Sequence, residues 1–142
     1  MILLIGRALA RCALDRGEPL AAVRHASAAV QLAEPLGDDV LTGALEVLVA
    51  AYRTAGDLDA AWDAATRKLQ VARRLGSHYR LYHALIAAVD VALDRTDLDT
   101  ARSLLDELDR HATALDTDTT GTTLTGEVAR RRQRLTDLQP TT

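Results

Sequence analysis

Apolar residues recur along this chain at every third and fourth position, in blocks separated by short polar breaks. One block carries Leu41, Leu45, Leu48 and Tyr52. The next carries Ala61, Ala65, Leu69 and Ala72, with Trp62 beside them. Leu81, Leu85, Ala88 and Ala92 follow, then Ala101, Leu105, Leu108 and Ala112. This is the spacing of one face of an α-helix, and no run alternates as a half-buried strand does. The periodicity breaks at Gly17, Gly37, Gly56 and Gly76, residues suited to the left-handed conformation that ends a helix. Glu18, Asp38, Asp39, Asp57 and Ser77 follow the breaks, where they cap a helix or favour the dipole of its N-terminus. Pro19 suits a first turn, and Pro35 falls where it helps to end a helix. The pattern predicts six helices, over 2–16, 19–36, 39–55, 58–75, 78–94 and 98–115. Their connections are so short that consecutive helices must fold back antiparallel.

The blocks repeat in pairs. Gly17 to Gly56 and Gly37 to Gly76 each span 39 residues, and Ala61 to Ala101 spans 40. Two helices and two tight turns account for that period. A single hairpin cannot bury its own apolar face, whereas a stack of hairpins can. The repeated domain is expected over 1–115. Residues 116–125, rich in Thr and Asp, read as a loop. Residues 126–142 read as a capping helix over Glu127 to Leu138 and a frayed tail, with Thr125 as the helix N-cap. There Val128, Leu135 and Leu138 would face inward, and Arg130, Arg131, Arg132 and Arg134 mostly outward.

Composition narrows the classes. The 142 residues hold 48% hydrophobic side chains, enough for a folded core, but no Phe, one Trp and three Tyr. Ala, Leu and Val must fill that core, and small side chains suit close helix packing. The net charge of −3 argues against a nucleic-acid binder. The single Cys12 forms no internal disulfide, so a cytoplasmic, reducing setting is expected. Met1-Ile2-Leu3-Leu4-Ile5 is too short for a membrane span and lacks the features of a signal peptide. It reads as the start of the first helix, whose apolar edge implies either continuation in a longer array or pairing with a second copy.

The turn Gly56-Asp57-Leu58-Asp59-Ala60-Ala61-Trp62, preceded by Tyr52, resembles the tetratricopeptide repeat in its longer bacterial variant of about 40 residues. Gly17, Ala22, Ala26 and Ala29 supply the first copy, and Thr96-Asp97-Leu98-Asp99-Thr100-Ala101-Arg102 a third. Thr96 replaces the turn glycine, and Lys68 stands where a small residue is expected. The resemblance covers residues 2–115. It implies an all-α fold: a right-handed α-solenoid of three antiparallel helix hairpins with a C-terminal capping helix. It further implies a scaffold that holds a protein or peptide in a concave groove lined by the first helix of each pair. The groove positions would be Arg7, Arg11, Glu46, Ala50, Arg53, His83, Ile86 and Asp90. The family's carboxylate clamp of Lys and Asn does not carry over, because the chain has no Asn and its only Lys lies on a second helix.

Candidate chemistry follows from the same residues. Arg7, Arg11 and Arg53 form either a positive rim for an acidic peptide or a solvated face paired with Glu46 and Asp90. Tyr79, Tyr82 and His83 share one helix face, as partner anchors or as packing between hairpins. Trp62 reads as interhelical packing. His25, His78, His83 and His111 show no metal-ligand spacing, so neither a metal nor a cofactor is expected. No phosphate loop or nucleophile elbow is present, and Ser27, Ser77 and Ser103 have no evident base, so no enzyme is expected. The Arg130–Arg134 cluster reads as a solvated cap before a nucleic-acid contact. The function expected is a non-catalytic protein-interaction scaffold. The alternative is a sensory or regulatory part of a larger bacterial transcriptional regulator or signalling ATPase.

Overall fold

The computed structural model describes the backbone of residues 2–116 and 122–140, with side chains over 4–113 and 126–140. Seven α-helices are present among the described residues, and no strand: α1 (Ile2–Asp15), α2 (Pro19–Ala33), α3 (Asp38–Ala55), α4 (Leu58–Leu75), α5 (His78–Asp94), α6 (Leu98–Asp116) and α7 (Thr122–Leu138). They fall into two compact units, Met1–Leu75 and Gly76–Thr142.

Local chemistry sets the boundaries. Pro19 is in the first turn of α2, while Pro35 sits in a 3-10 turn over Glu34–Leu36, so α2 stops at Ala33. Gly56 takes φ of 81°, and Gly56 and Asp57 donate backbone bonds back to Arg53 and Tyr52, closing the exposed carbonyls of α3. The Asp57 carboxylate then accepts from the Ala60 N–H at 3.2 Å and starts α4. Ser77 does the same for α5 at Arg80. The α5–α6 turn repeats the arrangement without a glycine. Thr96 and Asp97 donate to Leu93 and Ala92, and Thr96 sits at φ of 56°. A β-branched residue in that region is strained by about 1–2 kcal/mol. Thr96→Gly is therefore expected to stabilise the chain by about 0.5–1 kcal/mol after the entropy of the unfolded glycine is charged against it. Urea unfolding of the variant, with an unchanged m-value, checks this.

In the first unit, α1, α2, α3 and α4 pack in sequence, each on the next, and α1 also touches α3. Ala10, Ala22, Ala26, Leu45, Val47, Ala61 and Ala65 form its buried core. The second unit packs α5 on α6 and α6 on α7, with α5 also against α7, over Tyr82, Leu85, Val89, Leu105, Leu108 and Val128. Packing of consecutive helices, with contacts between alternate ones, is what a helical repeat requires. Small side chains carry the close approaches: fourteen of the core alanines, from Ala10 to Ala101, are fully buried at 0% exposure, including Ala22, Ala61 and Ala88.

Three expectations need correction. The last helix begins at Thr122, so Thr125 lies inside it and is not its N-cap. Leu138 is 38% exposed where an inward position was expected, because it occupies the last turn. The arginines of α7 do not mostly face solvent, because three of the four pair with carboxylates of α5 and α6. Residues 117–121, within the expected loop, and 141–142 lie outside the described residues, as do the side chains of Ile2 and Leu3.

Candidate interaction site

In the first unit three charges from three helices form one cluster. Arg7 of α1 lies over Gly43 of α3, so close that a Cβ on Gly43 would stand 3.0 Å from Arg7 Nη1. Glycine at this point lets the guanidinium rest against the helix backbone. The Arg7 Nε is buried and has no hydrogen-bond acceptor among the described residues. Lys68 of α4 is 4% exposed, an unusual burial for an ammonium group. Burial pulls its pKa below the ordinary lysine value, Glu46 of α3 works the other way, and Arg7 lowers it further. Glu46 itself is exposed. Two cations thus crowd one open carboxylate at the α1–α3–α4 junction.

The other arginines of this unit differ. Arg11 is exposed and Arg53 half-buried. Arg67 pairs with Glu34 at 2.7 Å, and Arg74 grips both oxygens of Asp38 at 3.2 Å. Both are solvent-facing staples of small energetic weight. A depression of about 240 Å³ between α3 and α4 is lined by Leu45, Leu48, Tyr52, Asp63 and Arg67. It is smaller than the usual small-molecule pocket. Leu4, Ile5, Leu9 and Leu20 of α1 and α2 are exposed, at 65%, 52%, 44% and 70%. Cys12 is exposed and free.

In the second unit the candidate residues separate. Tyr79 is 63% exposed and meets His83 edge-on, with ring centroids 4.4 Å apart. Tyr82 is fully buried and donates from its hydroxyl to Glu127 of α7 at 2.8 Å. Asp90 is engaged by Arg131 of α7 through two bonds of 2.7 and 2.9 Å. This pair is over four-fifths buried, at 18% and 17% exposure. Burial opposes the Arg131 charge, but the bonds to Asp90 and the nearby Glu127 outweigh it and raise the pKa. Arg134 pairs with Asp94 at 2.7 Å, and Arg132 with Asp106 and Asp109 of α6. Three of the four arginines expected to face solvent therefore bind α7 to α5 and α6. Their acidic partners stand 23 to 41 residues away, beyond the reach of any spacing argument. His78 and His111 meet with Nδ1 atoms 3.0 Å apart.

Among the described residues, no group of three or more His, Cys, Asp or Glu could hold a metal ion. No helix among them is long and apolar enough to cross a membrane. No protein-family model matches the chain, and comparison with curated proteins finds no match.

Proposed function

We propose that this chain is a non-catalytic scaffold of the tetratricopeptide kind, a right-handed solenoid of helix hairpins working in the cytoplasm, whose first unit captures an acidic segment of a protein partner. The observation that carries the reading is the buried Arg7 Nε without an acceptor, beside the buried Lys68. A desolvated cation loses the hydration that would offset its charge, so an incoming carboxylate gains more there than at an open surface. Gly43 keeps the guanidinium seated on α3, which limits its freedom before any partner arrives. Exposed Arg11 extends the positive charge along α1. Asp90 is assigned to the internal contact with Arg131 and not to the partner.

A labelled peptide bearing Asp and Glu, compared with its Asn and Gln counterpart, tests this by fluorescence anisotropy. The acidic peptide is expected to bind about tenfold tighter, the equivalent of about 1.4 kcal/mol. Arg7→Ala is expected to remove most of that difference, and added salt to weaken binding. Equal affinity for the two peptides would defeat the proposal.

A further inference from the structure

His78 opens α5 and His111 lies in the second half of α6, 33 residues away in sequence. Their rings are tilted by 45° with centroids 5.2 Å apart, and the two Nδ1 atoms face each other at 3.0 Å. From this geometry we infer that His78 and His111 form a two-imidazole chelate for a divalent late transition-metal ion, Ni2+ or Cu2+ in preference to Zn2+.

At 3.0 Å the two nitrogens face one another across the separation of adjacent corners of a metal coordination sphere. With metal–nitrogen bonds of about 2.05 Å, that separation subtends about 94° at the metal. The angle is that of neighbouring positions in a square-planar or octahedral ion, and lies well below the tetrahedral angle that zinc prefers in protein sites. Affinity of imidazole for divalent ions also runs from nickel to copper ahead of zinc or close to it. In the metal-free pair a single proton bridges the nitrogens, one ring donating and the other accepting. The ion takes the place of that proton: the donor ring gives up its Nδ1 proton to water and takes one up at Nε2, remaining neutral, so that both rings turn an Nδ1 lone pair toward the metal.

His78 is exposed, so an ion reaches the pair from solvent. No third His, Cys, Asp or Glu completes the set among the described residues. The remaining coordination positions go to water or to an incoming ligand, as in a catalytic or exchangeable site and unlike a closed structural one. The chelate joins the first turn of α5 to α6, so metal binding and the α5–α6 pairing support each other. Sequence spacing misses this site because each histidine comes from a different helix.

Calorimetric titration of the full chain with Ni2+, and separately with Zn2+, tests the chelate. The expected result is one Ni2+ per chain, bound more tightly than Zn2+. His78→Ala and His111→Ala should each weaken Ni2+ binding at least tenfold, while His25→Ala and His83→Ala leave it unchanged. Circular dichroism confirms folding, and His78→Gln repeats the test with a side chain closer in size. Ni2+ should also raise the melting temperature of the unaltered chain but not of the His78 and His111 variants. Binding that survives loss of His78 and of His111, or that falls equally on loss of His25 or His83, would overturn the inference.

Discussion

Arg131→Ala is expected to destabilise the second unit by about 2–3 kcal/mol. The variant deprives Asp90 of a two-bond partner at a position only 17% exposed. A carboxylate so placed regains little water when its partner is lost, so the variant carries much of its desolvation cost. Arg131 also donates to the Glu127 backbone carbonyl at 3.1 Å, one turn back on α7. Glu127 in turn accepts from the buried Tyr82, so the loss reaches the core. Arg130, one residue away and exposed, supplies the control: Arg130→Ala should change stability by less than about 0.5 kcal/mol. Urea unfolding followed by helical circular dichroism separates the two. Replacing Asp90 by Leu together with Arg131 by Met should recover most of the loss, because matched apolar groups do not carry the desolvation cost. Equal effects from Arg130 and Arg131 would show that the ion pair contributes nothing.

Lys68→Met is expected to act in the opposite direction, stabilising the first unit by about 1–2 kcal/mol. Methionine fills nearly the same volume with no charge to desolvate. The pKa of Lys68 is lowered in the fold, chiefly by burial. Between the folded value and the ordinary 10.5, the unfolded chain binds more protons than the folded one. The penalty is therefore fully present below the folded value and fades as pH rises through that window. Stability of the unaltered chain should rise toward alkaline pH relative to Lys68→Met, and thermal melts of both proteins across that range measure it. If Lys68 helps to hold an acidic partner, the more stable variant should also bind the acidic peptide less well. Stability gained at the expense of binding is the usual mark of a charge kept for function.

The helices were legible because their signals are local. Gly56 and Asp57 end one helix and begin the next through hydrogen bonds that reach no further than five residues. Even Thr96, which lacks the glycine expected at its turn, adopts the same left-handed conformation. The apolar stripes of α3 to α6 likewise fall in the core or at its margin, because a 3.6-residue period fixes which side chains share a face. The limits of α7 were less legible. Its first turn begins at Thr122, in a Thr-rich stretch that carries little apolar periodicity.

The candidate site was legible only in part. Arg7 and Glu46 hold groove positions by the resemblance, and both belong to the charged cluster. Lys68 stands out in the repeat as an oddity, but its burial does not, since that depends on how α4 packs on α3. Asp90 also holds a groove position by the resemblance, and it is engaged by Arg131, 41 residues away. His78 and His111 each looked isolated, and they meet at 3.0 Å.

By itself the sequence determined where the helices start and stop, which face of each is apolar, and that consecutive helices pair. Backbone hydrogen bonding, capping and side-chain periodicity act over a few residues and need no knowledge of the fold. Tertiary structure alone decided which charges meet. Attraction between Arg131 and Asp90, the crowding of Arg7 and Lys68, and the pairing of His78 with His111 depend on separations of a few ångströms between residues from different helices. Those separations, and the water excluded between them, arise only when the helices pack.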